Sequence, residues 1–171
     1  MYTISAIGQD SHRFADAEKP LILGGVLFEG YRGLAANSDG DVVLHAVTNA
    51  ISGLTAVNIL GAPADALCRS GITDSAAYLR EALKYLEQKD LKLIHVSLSL
   101  ECREPKIWPR IEEMRKRIGA LCGVLPEQVG ITATSGEALT DFGRGEGIAV
   151  ICAVTAAAET EYNINRKVNG G

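Results

Sequence analysis

Aromatic residues are scarce in this 171-residue chain, at 5%, and only one is tryptophan, although 47% of the chain is hydrophobic. Its apolar content is therefore mostly Ala, Val, Ile and Leu. Such a chain can offer smooth apolar surface to copies of itself, as obligate homo-oligomers do when they bury interfaces resembling a core cut in half. A surplus of positive charge is also missing. The formal net charge is −4, from 17 basic and 21 acidic residues mixed along the chain, so no cationic field points to nucleic acid or to an anionic membrane. Any bound phosphate must be met locally. No apolar run approaches the roughly 20 residues of a membrane span, and no basic segment followed by an apolar one opens the chain, so a cytoplasmic protein is expected. Cys68, Cys102, Cys122 and Cys152 form no C-x-x-C pair, which argues for reduced thiols and against a zinc knuckle or disulfide framework. Repeats, low-complexity tracts and Pro/Gly/Ser linkers are absent, and the length suffices for one domain with a real core.

Histidine is rarer still, with three in all, and one of them lies two residues from a carboxylate in GQDSHRF, Gly8 to Phe14. If Tyr2 to Gln9 is a strand, Asp10 and His12 point the same way, because side chains alternate across a strand with period two. That arrangement suits a divalent metal. A third ligand must then come from His45 or His95. The stretch GLAANSDGDVVLHAV crowds Ser38, Asp39 and Asp41 at the entrance to an apolar-periodic run from Val42 to about Val57, a helix with Ser38 and Asp41 as a variant capping box. Asp41 and His45, four apart, share a face of its first turn. Asp41 could simply complement the helix dipole and His45 be an ordinary histidine. A Ser-Asp-Gly-Asp turn with free backbone N–H donors is, however, the kind of helix terminus that accepts phosphate. Asp10, His12 and His45 then make a two-histidine, one-carboxylate zinc site with an open fourth position. His95 falls mid-strand in LKLIHVSLSLE with no acidic neighbour and reads as structural.

The remaining elements follow from periodicity. Arg13 to Pro20 is polar and loop-like, and Leu21–Leu23 and Val26–Phe28 flank Gly24-Gly25 as a hairpin. Asn58 to Thr73 has little periodicity and reads as a loop able to cover a site. Asp74 and Ser75 precede AAYLREALKYLEQK, an amphipathic helix, and Leu91 to Glu101 reads as a strand. IEEMRKRIGALCG is a helix with Ile111, Met114, Ile118 and Leu121 on its core face and Glu112, Glu113, Arg115, Lys116 and Arg117 solvated. VGITATS reads as a strand, and GIAVICAVTAAA as a fully covered one. The polar tail, Glu159 to Gly171, is expected to fray. Lys106, beside Pro105, Ile107 and Trp108, has two equal readings: a phosphate contact whose neighbours line a base pocket, or a hydrophobic anchor under the loop. GRGEG, Gly143 to Gly147, matches no phosphate-loop pattern and means a tight turn. Glu137, after Thr134-Ser135-Gly136, is a carboxylate beside hydroxyls that could hold magnesium between phosphate oxygens.

In order, D-S-H, S-D-G-D-V-V-L-H-A, P-K ahead of a helix, T-S-G-E and G-R-G-E-G-I resemble the 2-C-methyl-D-erythritol 2,4-cyclodiphosphate synthase family of the non-mevalonate isoprenoid pathway, from about Ile7 to Val154. The resemblance implies zinc, or another divalent transition metal, on Asp10, His12 and His45, and magnesium or manganese on Glu137, bridging the diphosphate. It implies that the Cys102 to Trp108 loop holds the cytidine end of the substrate. Catalytic positions fall on Asn37 and Ser135, and substrate contacts on Asp10, His12, Asn37, Ser38, Gly61, Lys106, Trp108, Thr134, Ser135, Glu137 and Arg144. The implied fold is an α+β domain, residues 1–158, whose mixed four-stranded sheet packs against helices on one face, with 159–171 as a tail. The implied assembly is a homotrimer with interfacial sites.

The implied reaction is an intramolecular phosphoryl transfer. The 2-phosphate of 4-diphosphocytidyl-2-C-methyl-D-erythritol 2-phosphate attacks the β-phosphorus, expels CMP and closes a cyclic diphosphate, with residues 58–73 as a lid against water. Such chemistry asks for positioning and charge neutralisation. The chain departs from the family at a few positions. Asn37 replaces a histidine and offers only a neutral hydrogen bond. Ser135 replaces a threonine but keeps its hydroxyl. Ile59-Leu60-Gly61 replaces the ribose-binding D-I-G, and Asp141 takes the column of a phenylalanine, with Phe142 next to it. Two other readings share the metal site: a phosphohydrolase that uses water, and a catalytically silent trimeric paralogue binding nucleotide or isoprenoid diphosphate.

Overall fold

The computed structural model describes residues 2–158, so the tail of 159–171 lies outside the described residues. In chain order come β1 (Tyr2–Arg13), β2 (Pro20–Leu23), β3 (Val26–Arg32), α1 (Val42–Thr55), α2 (Ala62–Arg69), α3 (Ser75–Glu87), β4 (Lys92–Glu101), α4 (Ile111–Cys122), β5 (Val129–Thr134), α5 (Asp141–Arg144) and β6 (Gly147–Ala158). Four strands form one sheet in the order β1-β6-β4-β5, and β2 pairs with β3 as the expected hairpin. β4 and β5 run parallel while β6 is antiparallel to both its neighbours, so the sheet is mixed. The same pairing makes β1, β4 and β5 point one way. Their C-terminal ends therefore share one rim of the sheet with the start of β6.

Alternation decides which face is covered. On β6, Ile148, Val150, Cys152, Val154 and Ala156 are buried, and they share a face with Val96, Leu98 and Leu100 of β4 and Val129 and Ile131 of β5. The helices close over that face with Val47 and Ile51 of α1, Leu79 and Leu86 of α3, and Met114 and Ile118 of α4. The opposite face is bare in the single chain, with Ile7 76% and Ile151 55% exposed. The expectation that β6 is fully covered is thus corrected. Its apolar content runs through both faces, but only one meets helices.

The closest approach in the covered layer lies between β1 and α1. A Cβ placed on Gly8 would stand 2.2 Å from the Ala50 backbone N and 2.6 Å from the Ala46 carbonyl O. Only glycine lets the two backbones touch there. Asn49 on the same helix donates its side-chain N–H to the Gln9 carbonyl at 3.0 Å.

Three local expectations are also revised. β1 continues to Arg13 rather than stopping at Gln9, which puts the whole of D-S-H inside the strand. Residues 58–73 are not a plain loop, because they contain α2, entered through Gly61 and carrying Pro63 and Asp65 in its first turn. Pro is preorganised for a first helical turn and an acidic residue complements its dipole. At α1 the cap is Asp41 itself, not Ser38. One Asp41 oxygen accepts Val43 N–H at 3.1 Å, Leu44 N–H at 3.0 Å and Gly24 N–H at 2.8 Å, and the other accepts Gly25 N–H at 2.6 Å. Gly24 and Gly25, with φ of +62° and +72°, form the tight hairpin turn that brings their N–H groups to this carboxylate. Burial pushes the Asp41 carboxyl up to about 6, against the pull of the amide donors, and the charge of Asp39 adds to the rise. All four cysteines are free, and burial pushes Cys102 up to about 11, Cys122 to about 12 and Cys152 higher still.

The Asp41 cradle generates the first prediction. Asp41→Ala leaves four N–H groups, three of them buried, without their acceptor and removes the α1 cap. It is expected to cost about 3 kcal/mol of stability. Urea denaturation at pH 7 measures this, and a loss below about 0.5 kcal/mol would show that water or relaxed backbone replaces the carboxylate.

Candidate metal centre and substrate cavity

Strand period and helix approach together build the metal site. Asp10 and His12 project from the helix-covered face of β1, and His45 comes from the first turns of α1, directly above them. One Asp10 oxygen lies 3.0 Å from His12 Nε2 and 3.0 Å from His45 Nδ1, and the two ring nitrogens are 3.3 Å apart. A tetrahedral ion with bonds of about 2.0–2.1 Å has ligand–ligand edges of about 3.3–3.4 Å. The three atoms therefore outline one face of such a tetrahedron. Two imidazoles and one carboxylate suit zinc or a neighbouring divalent transition metal. Burial opposes ionisation of Asp10, but hydrogen bonds and positive charge from His12 and His45 outweigh it and hold the carboxyl well below the usual range. His45 is only 7% exposed, so its ring is fixed by packing. Its centroid lies 6.2 Å from that of Tyr78.

This triangle of ligand atoms borders a cavity of about 440 Å³. Asn37, Ser38 and Gly61 line it with the three metal-site residues, and so do Asn49, Leu60, Asp65, Cys68 and Tyr78. That volume accommodates a small molecule. The Ala36–Ser38 turn forms one wall. Lys19 donates its ammonium to the Ala36 carbonyl at 3.1 Å and the Ser38 carbonyl at 2.6 Å, and Cys68 Sγ to the Asn37 carbonyl at 3.4 Å. α2 forms the facing wall. Ile59 is buried in the core, so no polar group reaches the cavity from that position. Asp65 brings a different carboxylate to the wall. Sequence reasoning missed Asp65 because it read 58–73 as a loop; Pro63 followed by an acidic residue was the available signal.

The other expected residues gather elsewhere. Thr134 ends β5, with Ser135 and Glu137 just beyond it, and Lys106 and Trp108 follow β4. None of them lines the metal-site cavity. β5 and β1 are opposite edges of the sheet, three strand spacings or about 14 Å apart. The candidate residues therefore form two groups on one rim, at its two ends. Around Glu137 the backbone is left-handed, with φ of +47° there and +61° at Ala138, and the Ser135 hydroxyl accepts the Glu137 N–H at 3.4 Å. Thr140 donates its hydroxyl to Glu101 and so ties this loop to the end of β4. In the Lys106 loop the anchor is Ile107, which is buried, whereas Trp108 is 81% exposed. Arg144 lines a separate cavity of about 290 Å³ with Phe14, Tyr31, Arg32, Arg103 and Glu104, and its guanidinium binds Asp141. His95 is exposed on the bare face and stands outside the metal-binding group.

A direct test of the centre is zinc titration of metal-free protein. Zinc is expected to bind once per chain and to raise the unfolding midpoint, while His45→Ala weakens binding by about 100-fold or more. Equal affinity in the two proteins, measured by competition with a chromophoric chelator, would remove His45 from the site.

Comparison with known proteins agrees with this geometry. The profile of the YgbB family matches residues 4–157. The 2-C-methyl-D-erythritol 2,4-cyclodiphosphate synthase of Chlamydia muridarum (strain MoPn / Nigg) is 48% identical over 152 residues, which cover 87% of this chain and 85% of that protein. The synthase of the same name from Chlamydia trachomatis serovar D is 46% identical over 159 residues, covering 91% and 89%. Among solved structures, a CDP-bound 2C-methyl-D-erythritol-2,4-cyclodiphosphate synthase matches at a TM-score of 0.79 and 27% identity, over 90% of this chain and 100% of that one. The bifunctional IspDF of Campylobacter jejuni gives a TM-score of 0.82 at 27% identity; the match takes in 91% of this chain but only 42% of that longer one. With the profile running from Ile4 to Ala157 and nearly half the residues shared with named members, the chain belongs to the YgbB family.

Proposed function

We propose that this chain is a metal-dependent 2-C-methyl-D-erythritol 2,4-cyclodiphosphate synthase of isoprenoid biosynthesis, acting in the cytoplasm. It converts 4-diphosphocytidyl-2-C-methyl-D-erythritol 2-phosphate to the 2,4-cyclodiphosphate and CMP. The observation that carries this reading is the Asp10–His12–His45 triangle opening onto a cavity of small-molecule size, in a chain 48% identical to a protein of that name. Asp10, His12 and His45 would hold zinc or a related ion and Glu137 a magnesium or manganese. Bound there, such ions polarise phosphoryl oxygens and offset the charge of the transferring group.

The chain's own groups do the positioning. The nucleophile is an oxygen of the substrate's 2-phosphate, already ionised at neutral pH, so no general base is needed. What the reaction requires is a folded-back substrate whose two phosphorus centres are held within reach and kept from water. Ser38 and Asn37 offer a hydroxyl and an amide to phosphate on the turn that Lys19 clamps. Leu60 and Ala64 supply an apolar wall, with α2 as the lid.

Ser135, Thr134 and Glu137 serve the diphosphate, and Lys106 and Trp108 the cytidine end, with Arg144 as a further phosphate contact. Apart from Arg144, these residues lie across the sheet from the metal triangle, so a complete site needs the β1–α1 edge of one copy to meet the β5 edge of the next. We read the assembly as a homotrimer. That arrangement also accounts for the bare sheet face around Ile7 and Ile151.

Product analysis tests the reaction. Incubation with the diphosphocytidyl substrate and divalent metal is expected to release CMP with one equivalent of cyclic diphosphate, seen by phosphorus NMR, and to stop on chelation. Inorganic phosphate without the cyclic product would instead identify a phosphohydrolase, and nucleotide binding without turnover a silent paralogue.

Complementation tests the division of the site between copies. Co-expressed His45→Ala and Glu137→Ala chains, each inactive alone, are expected to recover about a quarter of wild-type activity on random assembly, because about three quarters of the trimers are mixed and each mixed trimer has one interface in three that pairs two intact halves. No recovery, with mixed trimers verified by mass spectrometry, would place both groups of residues in one chain's site.

A further inference from the structure

We infer that Ser75 and Asp39 are positioning residues for the metal: together they hold the His45 ring in the tautomer and orientation that leave Nδ1 free to bind the ion. This rests on the metal reading of the Asp10–His12–His45 triangle.

Ser75 is the first residue of α3, yet its hydroxyl does not cap that helix. Asp74 does so, accepting the Ala76 N–H at 2.8 Å. Ser75 is nevertheless completely buried, and a buried hydroxyl needs partners. Its Oγ lies 2.9 Å from His45 Nε2 and donates to an oxygen of Asp39. A serine hydroxyl has one hydrogen, and a carboxylate can only accept. The hydrogen therefore goes to Asp39, and Oγ faces His45 as an acceptor. It follows that Nε2 carries the ring hydrogen. In the neutral imidazole Nδ1 then presents its lone pair toward the triangle completed by Asp10, 3.0 Å away, and His12, 3.3 Å away.

Asp39 is itself fixed from three directions. It accepts the Ser75 N–H at 3.1 Å and the Asp41 N–H at 3.0 Å, and its own N–H donates to the Thr73 carbonyl at 2.8 Å. It thereby joins the turn before α1 to the start of α3, with His45 between them. Ser38 offers no equal substitute. Its hydroxyl is 3.4 Å from Nε2 and already accepts the Gly40 N–H. Metal-binding histidines usually give their second ring N–H to a carboxylate or carbonyl, which fixes the tautomer and raises the ring's basicity. Here the carboxylate acts through one intervening hydroxyl, from a residue 30 positions away in sequence.

Two measurements on metal-free and zinc-titrated protein decide the matter. Nitrogen-15 NMR of the imidazoles in the metal-free protein is expected to show His45 protonated at Nε2 in the wild type and a mixture of tautomers in Ser75→Ala. Chelator competition is expected to give zinc affinities about 10–100-fold weaker in Ser75→Ala and in Asp39→Asn. Ser75→Cys, which keeps the volume but hydrogen-bonds poorly, is expected to behave like Ser75→Ala, with unfolding midpoints of the metal-free variants confirming that each is folded. Unchanged zinc affinity in the folded serine variants, or a wild-type ring whose Nε2 carries no hydrogen, would overturn the inference. If the wild type binds no zinc, the metal reading itself fails, and the tautomer spectra still decide whether Ser75 and Asp39 hold the ring.

Discussion

The missing side chain at Gly8 is the constraint on which the rest of the site depends. Asp10 and His12 sit on a strand edge, and His45 sits on a helix, so a metal triangle exists only if helix and strand approach until backbones touch. Ordinary side chains between a helix and a sheet would hold them several ångströms further apart. At Gly8 the helix backbone occupies the space a Cβ would need, and small residues continue the contact, since a Cβ on Gly53 would meet that of Ala6 at 3.0 Å. Metal sites tolerate displacements of only about 0.2 Å in ligand distance. A packing detail two residues from the first ligand thus has a direct chemical consequence.

The Ser-Asp-Gly-Asp turn, Ser38 to Asp41, holds the helix at the right rotation and depth, and each residue contributes differently. Ser38 faces the cavity, and Asp39 reaches across to α3. Gly40 has a φ of +78° and lies against the Leu34 backbone, where a Cβ would stand 2.9 Å from the carbonyl O. Asp41 is fully buried and gathers the N–H groups of α1 and of the β2–β3 turn. Buried polar groups of this kind are costly unless fully paired. Here they are paired into one network around His45, which makes the network rigid and specific.

These relations explain what the sequence could and could not disclose. Period-two alternation is local and strong, so the shared direction of Asp10 and His12 was legible, as were the hairpin, α1, α3 and α4. His45 was reachable because only three histidines exist and one of the other two lies mid-strand without an acidic neighbour. The Ser75–His45 contact was not, since it joins two helix starts through tertiary packing and leaves no periodic trace. α2 was missed because it is only eight residues long with one buried residue, and Gly61 and Pro63 at its entry read as loop signals. The separation of the candidate residues into two groups was hidden as well. Chain order places Thr134 to Glu137 next to β6, which pairs with β1, yet the sheet order β1-β6-β4-β5 carries them to the far edge.

Asn37 shows how these parts bear on one another. A histidine at the cavity rim could meet a phosphate with a positive charge, whereas asparagine offers a neutral dipole, and charge-assisted hydrogen bonds are roughly twice as strong. For a reaction that turns on neutralising phosphoryl charge, that loss has to be met by the remaining positive groups. On the function proposed above, more of the demand then falls on the centre held by Asp10, His12 and His45. A ligand fixed in one tautomer by Ser75 and Asp39 binds its ion without first paying to reorient. In this chain the buried hydrogen bonds behind His45 therefore matter more than they would beside a cationic rim, and the rate should be more sensitive to Ser75 and Asp39 than in a relative that carries the histidine.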